Sequence, residues 1–301
     1  MIPQTETLEI DVDRTRRRTI DFLALTKPRV VVMVLVTTLV GFYLGSQGTP
    51  DYLCLLHTLF GTALAAGGTL ALNQVIEREA DAKMQRTRLR PLPDGRLQPT
   101  DALAFGALMT AIGLLYLTIA VNPLSSIVTT FIVGSYLFAY TPLKPKTSLC
   151  SLVGAIPGAL PPVIGWVAAR GSFNVEAWVL FTIMFLWQLP HSLAIGWLYQ
   201  EDYARAGFRL LPVIEPDGKS TGRQIVSNCL ALLAVGLLPT LIGLAGVVYF
   251  FVALSLGVIF LWYGVGLARA SSRAAARKLV FVSLVYLPVL LAVMALDKLS
   301  F

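Results

Sequence analysis

The feature that most constrains this chain is a series of apolar stretches, each close to the length of a membrane span. A helix needs roughly 20 residues to cross about 30 Å of hydrocarbon. Closed β-barrels can also span a bilayer, but the apolar run 226–243 does not alternate with polar residues as a barrel strand does. The sequence therefore predicts an all-α integral membrane protein. We place its nine spans at about 30–48, 52–72, 102–121, 124–140, 150–169, 177–198, 225–244, 246–267 and 279–296.

Composition supports this fold class and excludes several others. Hydrophobic residues make up 56% of the 301 residues and charged residues 14%, against roughly 45–50% and about 25% in soluble domains. Cys54, Cys150 and Cys229 are isolated, so no zinc, iron–sulfur or covalent haem motif is indicated. Acidic residues among the first 21 do not fit an organelle transit peptide, which favours a bacterial inner membrane.

The positive charges indicate the orientation of the spans. With nine spans, 22 of the 24 Lys and Arg residues fall on one face, and only Arg170 and Lys298 fall on the other. The positive-inside rule then places the N-terminus in the cytoplasm and the C-terminus outside. Topology and anionic lipid account for the net charge of +7 without nucleic acid. We divide the chain into a cytoplasmic tail, 1–28, and a nine-helix domain, 29–301, with polar cytoplasmic loops at 73–101 and 199–224.

An amide and two carboxylates open the first loop at four-residue steps. Asn73, Glu77 and Asp81 drift by only about 80° around a helix, so they would form one oxygen-rich stripe continuing the second span. Oxygen ligands of this kind suit Mg²⁺, which takes one or two carboxylates plus substrate phosphates. A solvated helix with balanced charges is an equally good interpretation of the spacing alone. Arg86, Arg88 and Arg90, which follow closely, favour a diphosphate site.

These residues resemble the signature of the UbiA-type intramembrane prenyltransferases, an Asn and acids at four-residue steps followed by Arg-Thr-x-x-Arg-Pro. The resemblance spans nearly the whole chain and includes Lys27-Pro28-Arg29 and a Tyr-x-x-x-Lys run at Tyr140 and Lys144. It implies helices around a central cavity and Mg²⁺-dependent prenyl transfer. It implies catalytic roles for Asn73, Glu77, Asp81, Lys144 and Asp202, the metal being held by Asn73, Glu77, Asp81 and Asp202. We expect substrate binding by Arg29, Lys83, Arg86, Arg90, Tyr140, Gln188, His191 and Arg205.

The second acidic motif departs from the wider superfamily, in which two acids lie four residues apart before a Gly. Here Leu198 stands four residues ahead of Asp202, and Glu201 is a weaker ligand candidate. The second metal position therefore stays open. The departure, together with Trp187-Gln-Leu-Pro-His191, resembles the haem-farnesylating branch of the family. That branch implies farnesyl diphosphate and haem b as substrates, haem O as product, and the next enzyme of haem A synthesis as a partner.

His191 is a polar group at membrane depth, where ionisable residues are usually functional. If the sixth helix continued to Asp202, the two residues would share a face about 16 Å apart, with Gln188 on the same face. The sequence leaves open whether His191 is structural, a propionate partner, an iron ligand or a base.

Two alternative functions remain at this stage. A prenyltransferase for quinones or other aromatic acceptors would share every metal and phosphate residue. A secondary transporter of an organic anion would hold its site near the bilayer midplane, whereas the acids here lie in loops.

Overall fold

The computed structural model describes residues 17–215 and 217–299. Within that part of the chain, nine helices are long and apolar enough to cross a membrane, which confirms the predicted count. They are α1 (Pro28–Gly45), α2 (Tyr52–Ile76), α3 (Pro99–Ala120), α4 (Pro123–Leu143), α5 (Cys150–Arg170), α6 (Val175–Leu198), α7 (Lys219–Leu241), α8 (Val247–Ala270) and α9 (Arg273–Leu296).

The expected N-terminal tail is partly structured. Residues 1–16 lie outside the described part, but residues 17–25 are helical. Arg18 Nη2 lies 2.7 Å from Asp101 Oδ2 at the start of α3, and Arg96 pairs with Asp21. The segment before α1 is therefore joined by ion pairs to the loop between α2 and α3 and to the start of α3.

Close backbone contact joins α1 to α5, and glycine makes it possible. A Cβ added at Gly41 would lie 1.9 Å from Pro162 O, and one at Gly165 would lie 1.9 Å from Thr38 O. Without a strong hydrophobic force between helices in lipid, such small-residue contacts are a main source of association. The centre of the bundle is built on α5 and α6, the two most buried of the nine helices.

The sequence suggests that the second and sixth spans continue as helices into the loops, but in the structure each continuation is interrupted by one residue. The regular helix of α2 stops at Ile76 and that of α6 at Leu198, where Glu77 (φ −92°) and Tyr199 (φ −110°) leave the helical conformation. Short helices, Arg78–Lys83 and Gln200–Arg205, follow these residues. The expectation of one helix running from His191 to Asp202 is therefore wrong, and so is an unbroken acidic stripe.

The end of α4 has an unusual turn that bears on the site. Residues Ser135–Tyr140 form a π-helical segment, in which the Thr141 hydroxyl donates to Tyr136 O at 2.8 Å. Such segments occur often at functional sites because the extra residue per turn redirects side chains. Here Tyr136 and Tyr140 both line the central cavity.

Candidate functional site

The expected central cavity is present. It has a volume of about 450 Å³ and lies among α1, α2, α4, α5 and α6, with Leu287 of α9 also in its wall. Most of its lining is apolar. Its polar side chains include Tyr136, Tyr140, Tyr203, Ser151, Gln188, His191 and Ser192, and four threonines of α1, α2 and α4, Thr37, Thr62, Thr69 and Thr129.

Asn73 is buried at the loop end of α2 and is held by two neighbours. Lys27 Nζ donates to Asn73 Oδ1 at 3.1 Å, and Asn73 Nδ2 donates to Thr141 Oγ1 at 3.2 Å. Burial, and next the positive charge of Arg90, lower the pKa of Lys27 to about 8. Sequence reasoning chose Arg29 from the Lys-Pro-Arg run, whereas the structure brings Lys27 to the site. Arg29 is exposed and has no ion pair among the described residues.

Glu77 forms an ion pair with Lys144, the residue that follows α4. Lys144 Nζ lies 2.6 Å from Glu77 Oε1, and both side chains are about nine-tenths buried. Lys144 also lies over the rings of Tyr140, at 4.4 Å, and Phe208, at 5.6 Å. Burial alone would lower the pKa of Lys144, but Tyr140 and Glu77 outweigh it and raise that pKa well above its usual value. The Tyr-x-x-x-Lys run and the first acidic motif therefore meet at this ion pair.

Asp81 is the most buried of the site's carboxylates, at 1% exposure. Its Oδ2 lies 2.7 Å from Arg90 Nη1. The Thr87 hydroxyl donates to the Asp81 carbonyl at 2.8 Å, which folds the arginine-bearing segment back over the acid.

Asp202 joins the second loop to the first. Its Oδ1 accepts from the backbone N–H of Gln85 at 3.2 Å and pairs with Arg205. Burial acts to raise the pKa of Asp202, but the Gln85 N–H and Arg205 outweigh it and lower that pKa. Glu201, the weaker candidate, instead pairs with Arg273 at 2.5 Å on the exposed surface.

Arg86 makes the second link between the loops. Its Nη2 donates to Tyr203 Oη at 2.7 Å. The guanidinium also lies over the rings of Tyr199, at 5.0 Å, and Tyr203, at 4.7 Å. Sequence reasoning missed both tyrosines, since aromatic residues are common at membrane interfaces. Lys83 is exposed and makes no ion pair within the described residues.

A second polar group lies on the cavity wall. His191 Nδ1 is 2.6 Å from Ser283 Oγ of α9, and its ring stacks on Trp187, with centroids 4.9 Å apart. Trp187 Nε1 donates to the Ser283 carbonyl at 2.9 Å. Gln188 fits beside Gly158 of α5, where an added Cβ would come within 2.3 Å of its amide oxygen.

The donor set near the loops fits Mg²⁺ in part. Asn73, Glu77, Asp81 and Asp202 offer only oxygen and amide ligands, the type that Mg²⁺ prefers. Among the described residues, no three His, Cys, Asp or Glu side chains converge to hold a metal by themselves. Mg²⁺ typically binds through one or two carboxylates plus substrate phosphates. The residues therefore fit a metal site that a diphosphate completes.

Sequence comparison finds similar proteins over nearly the whole chain. The UbiA prenyltransferase family matches residues 34–285. A protein of Solibacter usitatus (strain Ellin6076) named Protoheme IX farnesyltransferase is 47% identical over 287 residues, which cover 92% of this chain and 98% of the relative. A protein of the same name from Salinibacter ruber (strain DSM 13855 / M31) is 40% identical over 277 residues, covering 92% and 98%.

Solved structures share the fold at low sequence identity. A digeranylgeranylglyceryl phosphate synthase has a TM-score of 0.79 and 17% identity, covering 93% of this chain and 98% of that one. A UbiA homologue from Archaeoglobus fulgidus, solved with GPP and Mg²⁺, has a TM-score of 0.66 and 16% identity, covering 91% and 99%. At this identity the likeness concerns the fold alone.

Proposed function

The chain belongs to the UbiA prenyltransferase family, and we propose on that basis that it transfers a farnesyl group from farnesyl diphosphate to a vinyl group of haem b. The products are haem O and diphosphate. The observation that carries the proposal is a cavity whose wall includes His191 together with Tyr140 and Tyr203, the tyrosines that contact Lys144 and Arg86. Relatives at 40–47% identity carry the matching name. Membership in this family argues against the alternative function, a secondary transporter of an organic anion.

The donor diphosphate would bind at the loop end. Arg86, Arg90 and Lys144 provide the positive charge there, and Lys27 adds a fourth cation beside Asn73. Guanidinium and ammonium groups bind phosphate oxygens by charge-assisted hydrogen bonds. Neutralising the diphosphate makes it a better leaving group, so the bond between its oxygen and C1 of the farnesyl chain breaks, with the electron pair staying on oxygen.

Mg²⁺ would be held by Asn73, Glu77, Asp81 and Asp202 together with the diphosphate. When bound, it would supply charge stabilisation to the departing diphosphate as a Lewis acid. Glu77 pairs with Lys144 and Asp81 with Arg90, so each of these carboxylates lies beside a cation that would bind the diphosphate.

The apolar cavity would protect the reacting chain from water. Most of the cavity lining comes from the spanning helices. The loops 73–101 and 199–224, linked by hydrogen bonds from Gln85 to Asp202 and from Arg86 to Tyr203, lie at one end of the cavity. The vinyl carbon of haem b forms the new bond to C1 of the farnesyl chain, which leaves a cation next to the porphyrin ring. Water adds its oxygen to that cation and loses a proton, which completes the hydroxyethylfarnesyl group.

His191 and Gln188 would contact the haem. They lie on the cavity wall formed by α6, on the helix that leads to Asp202. A haem bound against this wall would have its vinyl group within the same cavity as the donor chain.

The protein is a multi-pass membrane protein. We further propose that it lies in a bacterial inner membrane with both loops in the cytoplasm, and that it delivers haem O to the next enzyme of haem A synthesis. Reporter fusions after residue 98 and at the C-terminus test the orientation. A reporter active only in the cytoplasm should work in the first position and fail in the second.

The reaction is tested with purified protein in detergent, haem b, farnesyl diphosphate and Mg²⁺, with and without EDTA. Mass spectrometry of the haem should show a Mg²⁺-dependent gain of one farnesyl group plus one water. Unchanged haem, with a quinone precursor prenylated in its place, would overturn the assignment of the acceptor while keeping the donor site.

A further inference from the structure

Ser283 of α9 contacts both aromatic residues of the α6 cavity wall. Its hydroxyl lies 2.6 Å from His191 Nδ1, and its carbonyl accepts from Trp187 Nε1. The side chain of Ser283 is fully buried. The residue lies 92 positions from His191 in the chain, and no motif of the sequence marks it.

The hydrogen-bond pattern fixes which imidazole nitrogen carries the proton. The Ser283 hydroxyl has one hydrogen, and it donates that hydrogen to the Val280 carbonyl at 2.6 Å. Toward His191 Nδ1 it can then only accept, so Nδ1 carries the hydrogen of the neutral ring. The opposite tautomer would leave two oxygens 2.6 Å apart without a hydrogen between them.

Nε2 is then the unprotonated nitrogen. His191 lines the cavity, and within the described residues no hydrogen bond engages its Nε2. Trp187 covers one face of the ring, which limits rotation of the imidazole about its Cβ–Cγ bond. The wall therefore presents a lone pair of fixed direction to the space where, under the proposed function, haem binds.

We propose that Ser283 is a positioning residue that holds His191 in this tautomer, so that Nε2 is an axial ligand of the iron of the haem substrate. Histidines that bind metals characteristically donate their other ring N–H to a fixed acceptor, which sets the tautomer and raises the basicity of the ligand. Here the acceptor is a hydroxyl that passes the hydrogen bond on to the Val280 carbonyl. The inference rests on the proposed function because it takes haem b as the occupant.

The experiment titrates the full-length protein in detergent with ferric haem b alone and records affinity, absorption and electron paramagnetic resonance spectra. The variants are His191→Ala, Ser283→Ala and Ser283→Thr. The Trp187 contact uses the Ser283 backbone, so it survives Ser283→Ala and only the hydroxyl is tested. Ser255→Ala is the matched control, since Ser255 donates to Phe251 O in α8 and is exposed on that helix.

We expect Ser283→Ala to weaken haem binding by about 10- to 100-fold and to shift the iron spectrum toward that of His191→Ala. Ser283→Thr should restore both, and Ser255→Ala should match the wild type. A wild-type iron spectrum in Ser283→Ala, or no spectral change in His191→Ala, would overturn the inference.

Farnesyl transfer is assayed separately on the same preparations, so the two hypotheses can fail independently. Haem bound through His191 without farnesylation would overturn the proposed function and leave the role of Ser283 standing. Farnesylation with an iron spectrum that is insensitive to Ser283→Ala would support the proposed function and overturn the role of Ser283. If Ser283→Ala does not fold, as judged by gel filtration, the role of Ser283 is tested by comparing Ser283→Thr with His191→Ala. An iron spectrum unlike the wild type in Ser283→Thr would then overturn the inference.

Discussion

Lys144 Nζ lies 2.6 Å from Glu77 Oε1, and this ion pair joins the end of α4 to the end of α2. Both side chains are about nine-tenths buried. Removing one partner of a buried ion pair destabilises a protein far more than replacing both partners, because the remaining charge keeps its desolvation cost without the attraction. The pair therefore allows stability and catalysis to be separated.

We predict that Lys144→Met lowers the free energy of unfolding by about 3–5 kcal/mol and abolishes farnesyl transfer. The double variant Lys144→Met with Glu77→Gln should recover most of the stability, since no buried charge is left unpaired, but none of the activity. Thermal unfolding in detergent and the haem mass assay measure the two effects. A double variant as unstable as the single one would contradict the ion-pair argument.

The acids of the two loops give a second prediction. Asp81→Asn and Asp202→Asn should each lower the rate of transfer by roughly 10²–10³ and raise the Mg²⁺ concentration needed for half-maximal rate. Haem affinity should stay unchanged, because neither residue lies on the α6 wall. Asp94→Asn is the control, since Asp94 is exposed and pairs with Arg96 in the same loop. Normal turnover in both Asp81→Asn and Asp202→Asn would rule out the proposed metal ligands.

The link between Arg86 and Tyr203 gives a third prediction. Tyr203→Phe removes a 2.7 Å hydrogen bond to the guanidinium but keeps the ring beneath it. A hydrogen bond to a charged group contributes about 1.5–3 kcal/mol, so kcat/KM for farnesyl diphosphate should fall by about tenfold or more. Arg86→Lys should lose more, because an ammonium cannot stack between two tyrosines as a planar guanidinium does.

The control for this pair is Arg78→Lys. Arg78 lies in the same loop, and its closest carboxylate is an exposed oxygen of Glu79 at 3.8 Å. Exposed pairs of this kind contribute little, so Arg78→Lys should leave kcat/KM within twofold. Equal losses in Arg78→Lys and Arg86→Lys would mean that only the net charge of the loop matters.

Much of the fold followed from local pattern. A span is defined by some 20 consecutive apolar residues, so the predicted boundaries lie within a few residues of most helices, such as α6. The largest differences are at α7 and α9, predicted to begin at 225 and 279 and found to begin at Lys219 and Arg273. The first turns of both helices carry charged residues, so hydropathy gave no sign of them.

The site was predictable only where its residues lie close in sequence. The four-residue spacing predicted Asn73, Glu77 and Asp81 as candidates, but it did not predict that Asn73 contacts Lys27 or that Glu77 contacts Lys144, which lie 46 and 67 positions away. Pairings of that separation depend on which helices pack together, and the hydropathy of each span does not determine that.

The contact between His191 and Ser283 belongs to the same class, because nothing about one serine on α9 distinguishes it from others. The predicted continuous helix from His191 to Asp202 failed for a related reason. The break at Tyr199 is accompanied by contacts between the two loops, and the local sequence around Tyr199 does not predict these contacts.

The two cations that the charge count placed on the opposite face have a structural explanation. Arg170 Nε donates to Gly45 O at 2.6 Å, and Lys298 Nζ donates to Tyr43 O and Ser46 O, each at 2.7 Å. The last carbonyls of a helix have no partner within it, and cations there also interact favourably with the helix dipole. Both residues therefore bind the carboxyl end of α1.

Lys298→Met should accordingly lower stability without changing catalysis. Removing two hydrogen bonds from a charged donor leaves the Tyr43 and Ser46 carbonyls with one partner fewer, so we expect a loss of about 1–3 kcal/mol in unfolding free energy. KM for farnesyl diphosphate should not change, since α1 meets the donor site at its other end, next to Lys27. Lys219→Met is the control, because the Lys219 ammonium is exposed and lies 3.8 Å from an exposed carboxylate, Asp217. If both variants melted at the wild-type temperature, the Lys298 contacts would contribute nothing to stability. Membrane orientation could not then explain this lysine either, because the positive-inside rule disfavours a lysine on that face.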